Sequence, residues 1–416
     1  MRMEKIYVAG VGMTPFRRHP DLSVKQLAAW AIRDALADAG CEVSAIDAVY
    51  FGTTGQGFFD AQLMVPGQMA VLPLGIQGIP IFNVENACAT ASAAFHLGCQ
   101  NLRAGSAQIV LVVGVDKIHS ASKEKNMAFF DGAWDVETVE ENVRKLMLLG
   151  EGVQVPLDCG PERAHSRFMD VYAAFSRNHV RRFGLTQRQL AIVAAKNHTH
   201  AVNNDRAQYR NAMTTEDVMA APLITWPLTL PMCAPISDGA AAAVLCTQGA
   251  FAKSALDRKR RVRVLSSVFR SATGRSGDDA KNSACHLAAM KAYEEAGVGP
   301  ESMSVAEVHD ATSMGEIIQS ENLGLCEFGA GGALAQSGAT TLGGRVPINP
   351  SGGLASKGHP VGATGLGQIF ELVSQLRGEA GKRQVENARF AVQENGGGLW
   401  GIEEAAAHVG VFSNID

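Results

Sequence analysis

Apolar residues are arranged along the chain as short continuous runs and longer stretches with helical spacing, and the order of these two patterns occurs twice. The run Ile6 to Val11 reads as a buried strand. Helical spacing follows from Leu27-Ala-Ala to Asp38-Ala-Gly40, with glycine as the expected stop, and leads to the strand Ala48 to Phe51. Much later the strand Val262 to Val268 precedes the helix Leu287-Ala-Ala to Glu295-Ala-Gly297 and the strand Val305 to Val308. Each half then continues alike. Ala91 to Leu102 is an apolar helix closing with Asn101-Leu-Arg-Ala-Gly105, followed by the strand Ile109 to Val113. Ala363 to Leu376 is an apolar helix closing with Gln375-Leu-Arg-Gly378, followed by the strand Phe390 to Gln393. The expected skeleton is therefore two copies of β-α-β-α-β, at about 1–115 and 262–412. Strands this apolar belong inside a sheet with helices on both faces, which makes the fold class α/β.

Between the copies the pattern changes. The segment begins irregularly, with Asp131-Gly-Ala-Trp134 and a mixed-charge stretch from Glu137 to Lys145. It then predicts two helices, Phe168 to Phe183 and Thr186 to Asn203, rich in basic residues such as Arg163, Arg167, Arg177, Arg181 and Arg182. Ser237-Asp-Gly-Ala-Ala-Ala-Ala-Val-Leu245 returns to apolar strand. The expected domains are an N-terminal half (1–116 and 236–261), an inserted lid (117–235) and a C-terminal half (262–416).

Composition narrows the function classes. The 416 residues are enough for two domains, and 46% hydrophobic against 19% charged residues is the balance of a compact chain. A net charge of -4 supplies no global field for nucleic acid or an anionic membrane, and the basic run Arg258 to Arg263 reads as a solvated loop. No apolar stretch approaches the roughly 20 residues that span a bilayer. Eight cysteines without a C-x-x-C pair argue against a zinc site or a disulfide scaffold and suit reduced thiols in a cytoplasm.

Cys88 stands at the start of the long helix of the first copy, where the helix dipole and unpaired N–H groups favour a thiolate and can later hold an oxyanion. Position alone also fits a small buried hydrophobe. His359 stands at the matching place in the second copy, within Asn349-Pro-Ser-Gly-Gly-Leu-Ala-Ser-Lys-Gly-His-Pro360, where it can take the thiol proton. His309 emerges at a strand's carboxyl end, the place where open α/β sheets hold ligands, although a lone histidine there also fits a loop. Asp310 either orients that ring or caps the next helix. The glycines near His359 do not follow the phosphate-loop order, and Gly10-Val-Gly12 lacks the third glycine of a dinucleotide fingerprint.

Taken together, Asn86-Ala-Cys-Ala-Thr-Ala91, Ser237-Asp-Gly-Ala-Ala-Ala242, His309-Asp-Ala-Thr312 and Asn349-Pro-Ser-Gly-Gly…Gly358-His-Pro360 resemble the thiolases, most closely those of the lipid-transfer-protein (sterol carrier) type. The stretches Tyr172-Ala-Ala-Phe-Ser-Arg177 and Gln189 to Asn197 carry the likeness through the lid. The resemblance implies a five-layer αβαβα fold, CoA thioesters as substrates with no permanently bound cofactor or metal, and a tight homodimer or a dimer of dimers. It further implies that Cys88 is acylated and His359 activates it. His309 and His359 would hold the thioester oxygen of the second acyl-CoA, and the N–H groups of Cys88 and Gly396 would form a second oxyanion site. Arg167, Arg181 and Arg182 are the candidates for CoA phosphates. Some thiolases of this type work with a small OB-fold, zinc-ribbon partner, whose zinc would have to come from that other chain.

One part of the family pattern is missing. The second cysteine, which handles the proton on the carbon beside the thioester, belongs in a Cys-x-Gly loop or just after His-Asp. These places read Gln393-Glu-Asn-Gly-Gly-Gly398 and His309-Asp-Ala-Thr312. Aligned on the glycines, Glu394 takes the cysteine's position and is the first candidate for acid/base work, with Glu403 and Glu404 behind it. Glu394 equally fits a residue paired with a neighbouring base. The expected activity is thiolysis of a 3-oxoacyl-CoA or the reverse Claisen condensation. A condensing synthase or CoA-ester retro-aldolase is the alternative, and a non-catalytic subunit the third reading.

Overall fold

The computed structural model describes residues 4–157, 159–160, 165–253 and 260–415. Arg163, Arg258 and Lys259 lie outside them. The elements that build the core are, in chain order, β1 (Ile6–Met13), α1 (Val24–Ala39), β2 (Ala48–Gly52), β3 (Ile81–Val84), α2 (Thr90–Arg103), β4 (Ile109–Lys117), α3 (Arg167–Phe183), α4 (Gln187–Ala201), β5 (Asp238–Thr247), β6 (Val262–Ser271), α5 (Ala284–Ala296), β7 (Val305–Glu307), α6 (Ser313–Asn322), α7 (Thr364–Arg377), β8 (Phe390–Gly397) and β9 (Ala406–Ser413). Their ends obey local chemistry. Ser23 and Gln26 form a capping box at the start of α1, and Gly40 ends it in the left-handed region (φ 62°).

The strands form one hydrogen-bonded sheet in the order β3-β2-β4-β5-β1-β6-β9-β8-β7. Read outward from its middle, each half repeats one topology: β1-β5-β4-β2-β3 on one side and β6-β9-β8-β7 on the other. A single parallel bridge from Ala306 to Ile348 takes the fifth place in the second half. The expected duplication is present, with one strand more per half than the apolar runs suggested. Antiparallel pairing of Ile6, Tyr7 and Val8 with Val264, Arg263 and Val262 joins the halves.

Side-chain alternation builds the layers. On β5, Ala241, Ala243 and Leu245 face a central cluster, whereas Ala240, Ala242, Val244 and Cys246 face an outer one. The central cluster holds Phe95, Cys99 and Leu102 of α2 together with Leu366, Ile369 and Leu372 of α7, so the two site-bearing helices form the middle layer. The outer layers are α1 against the first half and Ala288, Ala289, Ala292 and Tyr293 of α5 against the second. Alanine is a poor strand former, yet the alanine run of β5 is fully buried. Its small side chains let helices close on both faces, so tertiary packing overrides propensity. The inserted segment packs its own apolar cluster, with Leu190 and Val193 of α4 against Met314 and Ile317 of α6. Its mixed-charge stretch is a helix, Val139–Leu148, not an irregular one. No helix among the described residues is long and apolar enough to cross a membrane.

Two polar ties lock the middle helices across the duplication. Asp116, at the end of β4, is fully buried and accepts from Thr53 Oγ1 (2.9 Å), Thr54 N (2.9 Å) and Gly55 N (2.8 Å) in its own half. It also accepts from Gly362 N, in the turn that opens α7. Conversely, Ser92 on α2 donates to Asn395 Oδ1 (2.8 Å) and accepts from Gln393 Nε2 (2.9 Å) on β8. A Cβ on Gly365 would lie 2.1 Å from Ser92 Oγ, so only glycine lets the first turns of α2 and α7 come this close. Replacing Asp116 by Ala strands four donors, each worth about 1–3 kcal/mol if left unpaired. The expected loss is at least about 3 kcal/mol in urea unfolding, whereas Asp116→Asn, which keeps an acceptor, is expected to lose less.

Candidate active site

Cys88 sits in a tight turn, Ala87–Ala89, that runs directly into α2. Ala87 has φ 47°, a left-handed conformation that costs a non-glycine residue energy and throws the following side chain out of the helix line. Neighbours hold the turn: Ala87 N donates to Glu85 Oε1 (2.6 Å) and Asn86 N to Thr90 Oγ1 (2.8 Å). From the other half, Gly397 presses on it so closely that a Cβ there would be 2.3 Å from Asn86 O. The backbone N–H groups of Cys88 and Gly398 both favour a thiolate at this sulfur. Burial outweighs them, and with Asp116 and Glu85 it pushes the thiol up to about 12. The expectation of a thiol near neutrality from the helix start is thus corrected. The resting group is a neutral thiol, because desolvation exceeds the stabilisation from two donors.

His359 has its backbone N–H on Ser237 Oγ (3.0 Å) and its Nδ1 2.7 Å from Thr364 Oγ1. The Thr364 hydroxyl spends its one proton on Pro360 O (3.0 Å), so it accepts from Nδ1–H, which leaves Nε2 as a basic lone pair. His309 lies just past β7, its N–H donating to Glu394 Oε2 (3.0 Å). Both its ring nitrogens are buried without a partner. Unpaired buried groups of this kind are costly and mark a place for a ligand. The two rings meet edge to face at 5.2 Å. Burial lowers His309 to about 4 and, with His309 beside it, holds His359 well below its ordinary value. One donor atom each of Cys88, His309 and His359 lies within 4.8 Å of the others, the one such group among the described residues able to share a metal ion. A half-buried neutral thiol beside two neutral imidazoles can also exchange a proton, once a substrate draws the sulfur into a bond.

These three residues open into a cavity of about 450 Å³. Its walls include Thr54, Glu85, Gly397, Gly398, Cys233, Tyr172 and Glu404, together with aromatic residues of the inserted segment. Not every candidate residue reaches it. Glu394 is fully buried behind His309, holding that residue's N–H and the Cys285 thiol (3.4 Å), and does not line the cavity. Its alternation on β8 points it away from the thiol, and Glu404 is the carboxylate that arrives instead. The glycine donor facing Cys88 is Gly398, two residues beyond Gly396, because the strand ends with a twist (Gly398 φ 62°) at the Cys88 turn. Asp310 does not orient the His309 ring; it accepts from Leu354 N (2.7 Å) and Asn197 Nδ2 (3.0 Å) and anchors the loop before His359.

The arginines separate as well. Arg167 adjoins the cavity residues Ser166 and Phe168 and pairs with Glu140 (2.7 Å). Arg181 and Arg182 are a helix length away, about 20 Å along α3, on Asn178 Oδ1 and Gly277 O. Cys233 and Gly398 escaped the sequence reading as site residues, since no local pattern distinguishes a cysteine or glycine that faces inward. Glu404 carried a signal, an acidic pair in an apolar C-terminal segment, but ranked behind Glu394.

A thiol at a strained helix start, an imidazole five residues ahead of the pseudo-equivalent helix and a second unpaired imidazole, on duplicated α/β halves, fit an acyl-transferring enzyme. The chain belongs to the thiolase family: the thiolase N-terminal domain matches residues 6–218 and the thiolase C-terminal domain-like model residues 269–409. It is 36% identical over 409 residues to sterol carrier protein 2 of Homo sapiens, covering 94% of this chain and 70% of that one. It is 35% identical to an acetyl-CoA acetyltransferase of Methanothermobacter thermautotrophicus, covering 98% and 99%. It is 33% identical to the benzoylsuccinyl-CoA thiolase subunit BbsB of Thauera aromatica, covering 93% of each. In fold it is similar to the Ltp2-ChsH2(DUF35) aldolase, with a TM-score of 0.77, 20% identity and coverage of 99% and 98%. The resemblance to sterol-carrier-type thiolases therefore holds, and the enzyme is an acyltransferase.

The neutral resting pair has a measurable signature. Alkylation of Cys88 by iodoacetamide, followed by peptide mass mapping, is expected to accelerate about tenfold per pH unit from pH 6 to 9. The thiolate fraction grows that way below a thiol value of about 12. A preformed thiolate–imidazolium pair would instead give a rate that is flat across this range.

Proposed function

We propose that the enzyme is a CoA-dependent thiolase that cleaves a 3-oxoacyl-CoA, or runs the reverse Claisen condensation, through an acyl group on Cys88. The observation that carries this reading is the grouping of Cys88, His309 and His359 within 4.8 Å, with both His309 ring nitrogens unpaired, at one cavity. His359 Nε2 takes the thiol proton as the sulfur attacks the keto carbon. The N–H groups of Cys88 and Gly398 hold the oxygen of the tetrahedral adduct, and His309 with His359 holds the thioester oxygen of the departing acyl-CoA. Incoming CoA then takes the acyl group. Of the three arginines, Arg167 has the position to meet a CoA phosphate near the cavity.

The cavity favours a bulky apolar or aromatic acyl group. Phe58, Phe129, Phe130 and Phe168 line it in a chain of ring contacts between 5.3 and 6.4 Å, with Met127 and Met169 beside them. The BbsB relative, named for an aromatic CoA ester, supports this. A panel of 3-oxoacyl-CoA esters is expected to give kcat/KM for aromatic substrates at least tenfold above acetoacetyl-CoA, with Cys88→Ser inactive on all of them. Equal rates across the panel contradict the aromatic assignment.

A retro-aldolase is the second reading, favoured by Ala311 and Glu394 standing where the family places its second cysteine and by the aldolase among the solved relatives. Product release decides between the two. Thiolysis requires CoA and yields two acyl-CoA molecules, whereas an aldolase frees an aldehyde or ketone without CoA.

The assembly follows from the same reading. We propose a homodimer built on the free edge of β3, where Phe82 (45% exposed) stands near the sheet margin and Leu63 and Met64 are three-quarters exposed. Light scattering is expected to give a dimer that Phe82→Glu with Met64→Glu converts to monomer; an unchanged mass contradicts this interface. The names Ltp2-ChsH2(DUF35) and BbsB "subunit" support a small partner chain as well.

A further inference from the structure

The thiolase reading leaves the carbon chemistry without a residue, and a buried acidic cluster beside the cavity supplies one. Glu394 and Glu404 converge on a single thiol: Cys285 Sγ is 3.4 Å from Glu394 Oε1 and 3.9 Å from Glu404 Oε2. Two carboxyl groups gathered round one thiol in a low-dielectric site do not both ionise readily, which favours a proton held by the pair. Burial, and then the other carboxylate, raises Glu394 well above its ordinary value; burial likewise raises Glu404.

Of the two, Glu404 has access to the reacting groups. It lines the cavity that contains Cys88, His309 and His359, and Glu394 does not. Its side chain crosses Gly396, where a Cβ would be 2.5 Å from Glu404 Cγ, so any larger residue there would displace the carboxyl. Gln319 Nε2 fixes one oxygen at 2.8 Å. Tyr172 lines the same cavity, where burial and then the charges of Glu404 and Cys88 raise its hydroxyl well above its ordinary value. Glu404 also borders a second, smaller cavity of about 80 Å³ on its other side, lined by Arg275, Gln319 and Glu403. A general acid/base must exchange its proton between turnovers, and a carboxyl with one face on each cavity can do so without opening the site.

We propose that Glu404 is the acid/base acting on the carbon beside the thioester carbonyl, in place of the family's second cysteine. This rests on the thiolase reading above. In the cleavage direction, Cys88 gives its proton to His359 Nε2 and its sulfur bonds to the keto carbon. The carbon–carbon bond then breaks, its electron pair going to the α-carbon of the leaving acyl-CoA. That carbon takes the proton of the Glu404 carboxyl, releasing acyl-CoA and leaving Glu404 as carboxylate. The His359 proton then passes across the shared cavity to the Glu404 carboxylate, and as CoA attacks the Cys88 thioester its thiol proton goes to His359 and from there to the departing Cys88 sulfur. Each group ends in its starting protonation state, and the proton that CoA gives up replaces the one the product carbon carried away.

The test separates the two half-reactions. In D2O, the wild-type enzyme is expected to exchange the α-hydrogens of an unreacted acyl-CoA and to acylate Cys88 from the same compound. Glu404→Gln, close to isosteric and still an acceptor for Gln319, is expected to slow α-exchange and carbon–carbon cleavage by at least about a hundredfold while acylation stays within a few-fold. Formate added to Glu404→Ala is expected to restore part of the exchange. Wild-type exchange in Glu404→Gln overturns the proposal, as does an acylating Glu404→Ala that formate does not rescue. A wild-type enzyme that exchanges α-hydrogens but never acylates Cys88 contradicts the thiolase reading and leaves Glu404 as the carbon base.

Discussion

The buried Asp116 carboxylate is the constraint on which the site depends. It belongs to the first half, and three of its four donors do too, but the fourth is the backbone N–H that opens the helix after His359. Ser92 ties the helix after Cys88 to the second half in return. Each catalytic helix is therefore anchored to the half that did not produce it. The spacing of Cys88 and His359 becomes a property of the interface and not of either half alone. A carboxylate is costly to bury, and only its full set of donors makes the arrangement tolerable.

The same burial sets the chemistry. A thiol pushed up to about 12 and imidazoles held well below their ordinary values are both neutral at rest. On the proposed mechanism, charge appears only when the proton moves with the attack on substrate, and the Cys88 and Gly398 N–H groups receive the developing oxyanion. A neutral resting site of this kind avoids an idle reactive thiolate and keeps its electrostatic stabilisation for the transition state. The acidic cluster of Glu394 and Glu404 follows the same logic with the opposite charge, since crowding retains a proton that bulk water would remove.

Much of this was legible in the chain. The doubled order of strand and helix identified the skeleton and put Cys88 at a middle-layer helix start, whereas His359 stands five residues before its helix, on a bridge to Ile236. What escaped were features that depend on side-chain direction across the sheet. β3 is short and half-exposed, and β9 is rich in small residues, so neither shows as an apolar run. Glycine spacing put Glu394 in the cysteine's position, but strand alternation turns it behind His309 while the turn leading into the next strand brings Glu404 over Gly396. Counting along one strand cannot reveal a residue delivered by its neighbour. Likewise the sequence shows that Cys88 stands at a helix start, yet the degree of desolvation, which shifts its protonation, exists only in the assembled cavity.

The central claim is that carbon–carbon cleavage proceeds through a covalent acyl group on Cys88. Rapid acid quench of the enzyme with a 3-oxoacyl-CoA, in the absence of free CoA, followed by peptide mass spectrometry, tests it directly. The account predicts one acyl adduct per active site, mapped to the peptide containing Cys88 and discharged on adding CoA. Cleavage of the substrate with Cys88 unmodified would contradict it.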